Sequence, residues 1–304
     1  MASVRPRPPP PDWLKNQASP VGIPQVVKDL ANEVLPSTHA TLTGTAMVLV
    51  VNEALNFVAD RIHPDLGFVE ICSGWGECCY WVRKQSIPAH EYDAGTRSSE
   101  ESLNTALGLF WAGVLCLRLQ PHGTAFFAPE CSTWGFLNMG TSGRNISVFG
   151  KDTRADVASA NIQVEAVSML MMLCDKRRVY ITVEQPTDSV METHPSMKFA
   201  LQAMQIIRLR TYMGPFGLPM PKPTHLHTTF PPGAAQPLVR PRPKPAQKRS
   251  PSFHCVTDAG WVTGGRKLSA TEHYPTEFCQ ALATVVSTLH RGNVAAIGLH
   301  QWRT

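Results

Sequence analysis

Acidic residues are missing from one long stretch of this chain. Between Thr193 and Thr257 there is no Asp or Glu, while nine Lys and Arg fall there. The whole chain carries +5, so the nine charges of that stretch leave −4 for the rest. A basic C-terminal third on a slightly acidic body suggests a polyanion partner on one side. The plainer reading is a solvated loop that carries Lys and Arg. Charge is scarce overall, at 17% Asp, Glu, Lys and Arg, below the quarter common in globular chains. Cysteine is also sparse, 8 in 304 residues, too thin for a disulfide scaffold, and the adjacent Cys78 and Cys79 cannot easily pair with each other. They read as thiols of a reducing compartment, which makes the expected location intracellular, nuclear or cytoplasmic rather than secreted. Apolar runs such as Ala46 to Val51 fall far short of the roughly 20 residues that span a bilayer, so no membrane partner is expected. The N-terminus, MASVRPRPPPPDW, has positive charge with no apolar stretch behind it and is not a secretory signal.

Proline, by contrast, is abundant: the 26 residues concentrate at both ends of the organised region. Residues 1–22 read as a disordered Pro-rich tail and 231–252 as a basic, Pro-rich loop. Residues 23–62 read as an N-terminal helical segment, because Leu49, Val50, Leu55, Phe57 and Val58 recur near helical spacing and Pro64 stops it. From 63 to 230 apolar runs alternate with helical patterns. Gly67 to Ile71, Ser86 to Tyr92, Thr124 to Ala128, Val179 to Glu184, Gln205 to Tyr212 and His225 to Phe230 read as strands. Glu77 to Gln85, an amphipathic Ser98 to Leu119, Asp152 to Cys174 and a short segment after Pro195 read as helices. The alternation predicts an α/β fold, a doubly wound, mostly parallel sheet with crossover helices. Residues 253–304, with a helix from Pro275 to His290, complete that core.

Four constellations fall at predicted strand ends, where open α/β sheets place ligands. Cys72-Ser73-Gly74-Trp75-Gly76 follows the first strand, and its glycines let backbone approach a ligand. Alone it is an ordinary strand-to-helix turn as readily as a cofactor loop. Glu91 and Tyr92 end the second strand; an acid there accepts ribose hydroxyls and an aromatic stacks on adenine. Pro129-Glu130-Cys131-Ser132-Thr133-Trp134 follows the third, where a thiolate can attack an electron-poor carbon; the bland reading is a small buried Cys. Glu184 in Val183-Glu184-Gln185-Pro186 ends the fourth, so it and Cys131 should converge on one sheet edge. His225, His227, His254 and Cys255 carry no finger spacing, and no metal is expected.

Taken in order, these motifs resemble the DNA cytosine-5 methyltransferases, in particular their short, divergent phage and protist relatives, over about Gly67 to Leu282. The resemblance matches Cys72 to Gly76 to the family's glycine turn, Glu91 and Tyr92 to its acid-aromatic pair, Pro129 to Trp134 to its Pro-Cys loop, and Glu184 to its base-binding glutamate. Lys222 stands at an Arg-like position of the basic strand, and Arg266 to Ser269 with Tyr274, Pro275 and Phe278 is similar to a late family segment. It implies a Rossmann-like methyltransferase core, S-adenosylmethionine held by Cys72, Ser73, Gly74, Gly76, Glu91, Tyr92 and Pro129, and catalysis by Cys131, Glu184 and Lys222. The implied substrate is cytosine in nucleic acid, DNA before RNA. Here Glu130 separates Pro129 from Cys131, and a carboxylate beside a thiol raises its pKa. A standard target-recognition domain is also missing. The alternative is a catalytically silent nucleic-acid-binding relative.

Overall fold

A computed structural model of the chain describes residues 22–218, 220–243, 255–256, 262–263 and 273–292. Six strands, β1 (Leu66–Ile71), β2 (Ala89–Tyr92), β3 (Leu119–Phe127), β4 (Tyr180–Pro186), β5 (Ile207–Tyr212) and β6 (Pro223–Thr228), form one sheet in the order β2-β1-β3-β4-β6-β5. β1 pairs in parallel with β2 and β3, and β3 with β4. β6 runs antiparallel to both of its neighbours, β4 and β5. The connection across residues 213–222 explains the reversal: it is shorter than the dozen or more residues of a parallel crossover, so the chain turns straight back. The strand order reverses between β1 and β3, which makes the gap beyond their C-terminal ends the switch point of the sheet.

Side chains alternate across the sheet with the period of two that a pleated strand imposes. Val69, Ile71, Ala125, Phe127, Ile181 and Val183 face one core, while Phe68, Phe126 and Leu226 face the other. The first core is closed by α1 (Gln25–Val34), α2 (Gly44–Val58), α4 (Ala106–Leu117), α6 (Ala155–Lys176) and α7 (Pro195–Ala203). The second is closed by α3 (Glu77–Arg83), α8 (Pro232–Ala235) and α9 (Thr276–His290). A one-turn helix, α5 (Met139–Ser142), lies in the connection between β3 and α6.

The expected amphipathic helix from Ser98 to Leu119 is corrected on two counts. It starts at Ala106, where the Thr105 hydroxyl accepts from Gly108 N, and it is buried almost all round rather than on one face. A helix covered by the sheet, α2 and α6 needs no polar side. Gly113 lets it approach α2, because a Cβ there would lie 2.2 Å from Leu55 Cδ1. α6, close to the helix expected from Asp152 to Cys174, is long and apolar enough to cross a membrane, and 56% of its apolar window is buried inside this fold.

The expected loop 231–252 begins as structure: α8 and a following turn at Gln236–Leu238 bury Ala235 and Leu238 in the second core. Residues 1–21, 244–254 and Arg266 to Ser269 lie outside the described residues, and with them most of the expected tail, Lys244, Lys248, Arg249 and His254.

Candidate functional site

Even-numbered positions of β4 face the second core, opposite Ile181 and Val183, so Glu184 turns toward the α9 side. It is buried, its Oε2 accepts from the Tyr274 hydroxyl at 3.2 Å, and its Oε1 has no hydrogen-bond partner among the described residues. β3 and β4 are in register through Phe127 and Val183, which brings the loop after β3 beside the end of β4. Gln185, on the other side of the strand, fixes that loop by donating to Pro129 O at 2.8 Å, and itself accepts from the Ser189 hydroxyl.

Cys131 sits in this loop, half-buried. Its thiol is pushed up to about 12, first by desolvation and then by the Glu184 carboxylate, with Glu130 adding less and Lys222 opposing. Glu184 and Lys222 thus both lie within electrostatic reach of the Cys131 thiol. Glu130 weighs less than Glu184 because its side chain is exposed and turned to the Ser132 hydroxyl, which donates to it at 2.6 Å. Lys222 precedes β6 at φ +32, and its ammonium lies 5.8 Å from the centroid of the Tyr274 ring.

Beyond the Cys131 loop the chain packs around Arg144. This buried guanidinium donates to Thr133 O and Oγ1, Val148 O and Asn161 Oδ1, and stacks 3.2 Å above the Trp134 ring. Desolvation lowers it to about 10. Trp134 in turn meets the edge of His194, which is buried with both ring nitrogens unpartnered among the described residues and is held at about 4 by desolvation.

The glycine loop lies at the C-terminal end of β1. Gly74 and Gly76 adopt φ +59 and +73, conformations that favour glycine. Cys72 reaches φ +60 without that freedom. Asp93 pins the loop by accepting from Gly74 N at 3.0 Å, and from Gly95 N and Thr96 N. The Ser73 hydroxyl is buried without a partner among the described residues. A Cβ on Gly76 would lie 3.0 Å from Glu91 Cγ, so the acid stands directly against the loop.

Glu91 is less open than the sequence reading expected. Arg83 and Arg97 each pair with one of its oxygens, Arg97 at 2.8 Å, and Arg97 continues to Glu101 at 3.1 Å. Tyr92 departs further: as the next residue of β2 it points to the opposite face, buried in the first core, and its hydroxyl donates to Gly108 O on α4. It cannot stack on a ligand above the loop. For a nucleoside cofactor, the loop backbone, Ser73 and the position of Glu91 fit; the aromatic partner does not.

Glu70 was not anticipated at all. It is fully buried on β1, on the Phe68 side, with Oε2 accepting from Cys79 N at 3.0 Å and Oε1 unpartnered among the described residues. Burial lifts it to about 8, with Glu77 and Glu91 adding to the rise. A charged residue inside the apolar run GFVEI was the available signal. Cys78 and Cys79 are fully buried, as expected of packed thiols. No group of three or more His, Cys, Asp or Glu among the described residues is arranged to hold a metal. No protein-family model matches the chain, and no curated protein is detectably similar to it.

Proposed function

We propose that the chain is an S-adenosylmethionine-dependent methyltransferase acting on cytosine in nucleic acid. The observation that carries the reading is the convergence of Cys131, Glu184 and Lys222 at the C-terminal ends of β3 and β4 and the start of β6, next to the switch point and the Gly74–Gly76 loop. In this reading the base leaves its stack, because its ring atoms are closed to out-of-plane attack inside a duplex. Glu184 takes the thiol proton of Cys131 and passes it to N3 of the base. The sulfur then bonds to C6 as the ring electrons move toward C5. Glu184 is neutral only while it carries that proton, and its passage to N3 makes C6 electron-poor, so attack by the sulfur is drawn by the protonated base.

S-adenosylmethionine, bound, supplies the methyl group that C5 receives. Ser73, Gly74, Gly76 and Pro129 are the residues that hold it in this reading, with Glu91 engaging a ribose once Arg83 or Arg97 yields an oxygen. Phosphates meet the same edge: Arg240 N bonds Thr211 Oγ1 at 3.0 Å near the end of β5, where Arg210 and Lys222 also lie. The chain then works as a DNA-directed enzyme, with RNA as the other polymer.

A second reading, a catalytically silent nucleic-acid binder, is favoured by the high thiol and the occupied Glu91. A duplex containing 5-fluorocytosine separates the two, because fluorine blocks the final elimination and traps the adduct. Wild-type protein with cofactor forms a covalent adduct that Cys131→Ala abolishes. Cofactor binding with no adduct across DNA and RNA pools gives the second reading its place.

A further inference from the structure

We infer that Tyr274 is a positioning residue for Glu184, a role that rests on the reading of Cys131 and Glu184 above. The hydroxyl donates to Glu184 Oε2 at 3.2 Å, and the buried Oε1 is left without a partner among the described residues. A carboxyl group held at one oxygen cannot spin freely about its last bond, so Oε1 is presented in a fixed direction. It is then the one oxygen left for a ring nitrogen of the substrate.

The tyrosine is itself held. Its ring meets Phe126 on β3 edge-on at 5.6 Å and packs against Phe278 on α9 at 5.2 Å. The Lys222 ammonium lies 5.8 Å from its centroid. One side chain therefore packs on the strand that leads to Cys131, bonds the carboxylate on the next strand, and lies under the cation expected to work beside them. Burial keeps the phenol protonated, and so a donor, well above its ordinary range.

The test uses the full chain and the variants Tyr274→Phe, Glu184→Gln, their double mutant and Phe278→Leu. Tyr274→Phe keeps the ring and removes the donor alone. The infrared difference spectrum of wild type against Glu184→Gln isolates the Glu184 carboxyl band. That band shifts in Tyr274→Phe and stays in Phe278→Leu, which perturbs the same aromatic packing without touching the bond. Adduct formation on the 5-fluorocytosine duplex slows roughly tenfold in Tyr274→Phe, with KM for the duplex unchanged. In the Glu184→Gln background the same change has no further effect, because residues acting through one another are not additive. An unmoved band, or an equal slowing in both backgrounds, overturns the inference while leaving the methyltransferase reading intact. A shifted band with no adduct from wild type overturns that reading, and the positioning role falls with it.

Discussion

Cys131 should be a slow thiol, and its neighbours should set how slow. Its pKa is pushed up to about 12 from an ordinary value of 9.0, with desolvation first, Glu184 second and Lys222 opposing. At pH 8 that shift lowers the thiolate fraction about a thousandfold against an ordinary cysteine. A more basic thiolate is the better nucleophile, which returns about twentyfold, so reaction with a small thiosulfonate reagent should be about fiftyfold slower. Glu184→Gln removes the second cause and leaves the first. Labelling then speeds up, by about threefold for each tenfold gain in thiolate fraction once the loss in nucleophilicity is counted. Lys222→Met works in the opposite sense and slows labelling by a similar factor. The assay is pulsed labelling at pH 8 with peptide mapping, which separates Cys131 from Cys72, also half-buried, and from the buried cysteines. Ordinary reactivity of Cys131 in wild type, or faster labelling in Lys222→Met, refutes the electrostatic account of this site.

Three further outcomes are expected. Glu70 holds a proton in the folded state up to about pH 8 that the unfolded chain releases near 4.5, so its contribution is full below 4.5 and lost as pH rises through 8. Glu70→Gln should therefore narrow the gap in melting temperature between pH 5 and pH 9, and an unchanged gap removes Glu70 as the cause. His90, His194 and His227 are held at about 4, so their stability is present above 6.5 and lost as pH falls toward 4. His194→Phe should reduce proton uptake on acid unfolding by about one across that window, measured as the slope of unfolding free energy against pH. Gly76→Val meets both a φ of +73 and the Glu91 side chain, and should abolish cofactor binding in calorimetry while a Gly140→Val control, with open space around it, leaves binding intact.

The sequence determined much of this protein by local rules. Period and punctuation carried the strands at GFVEI, TAFFA and VYITVE, and Pro195 marks a helix start that was legible, whereas the start capped by Thr105 was not. Cys131 and Glu184 were readable as neighbours because both follow parallel strands, and adjacent parallel strands bring their C-terminal ends to one edge. What the tertiary structure alone decided is everything that depends on which face a side chain takes or on a distant partner. Glu91 and Tyr92 are adjacent in the chain, yet the pleat sends them to opposite cores, one to Arg83 and Arg97, the other beneath α4. The reversal of β6 follows from a short connection that only pairing with β4 and β5 turns into a hairpin inserted in the sheet. Tyr274 meets Glu184 across 90 residues, and Glu70 loses its charge because burial, a property of the whole fold, outweighs the single backbone N–H that it is offered.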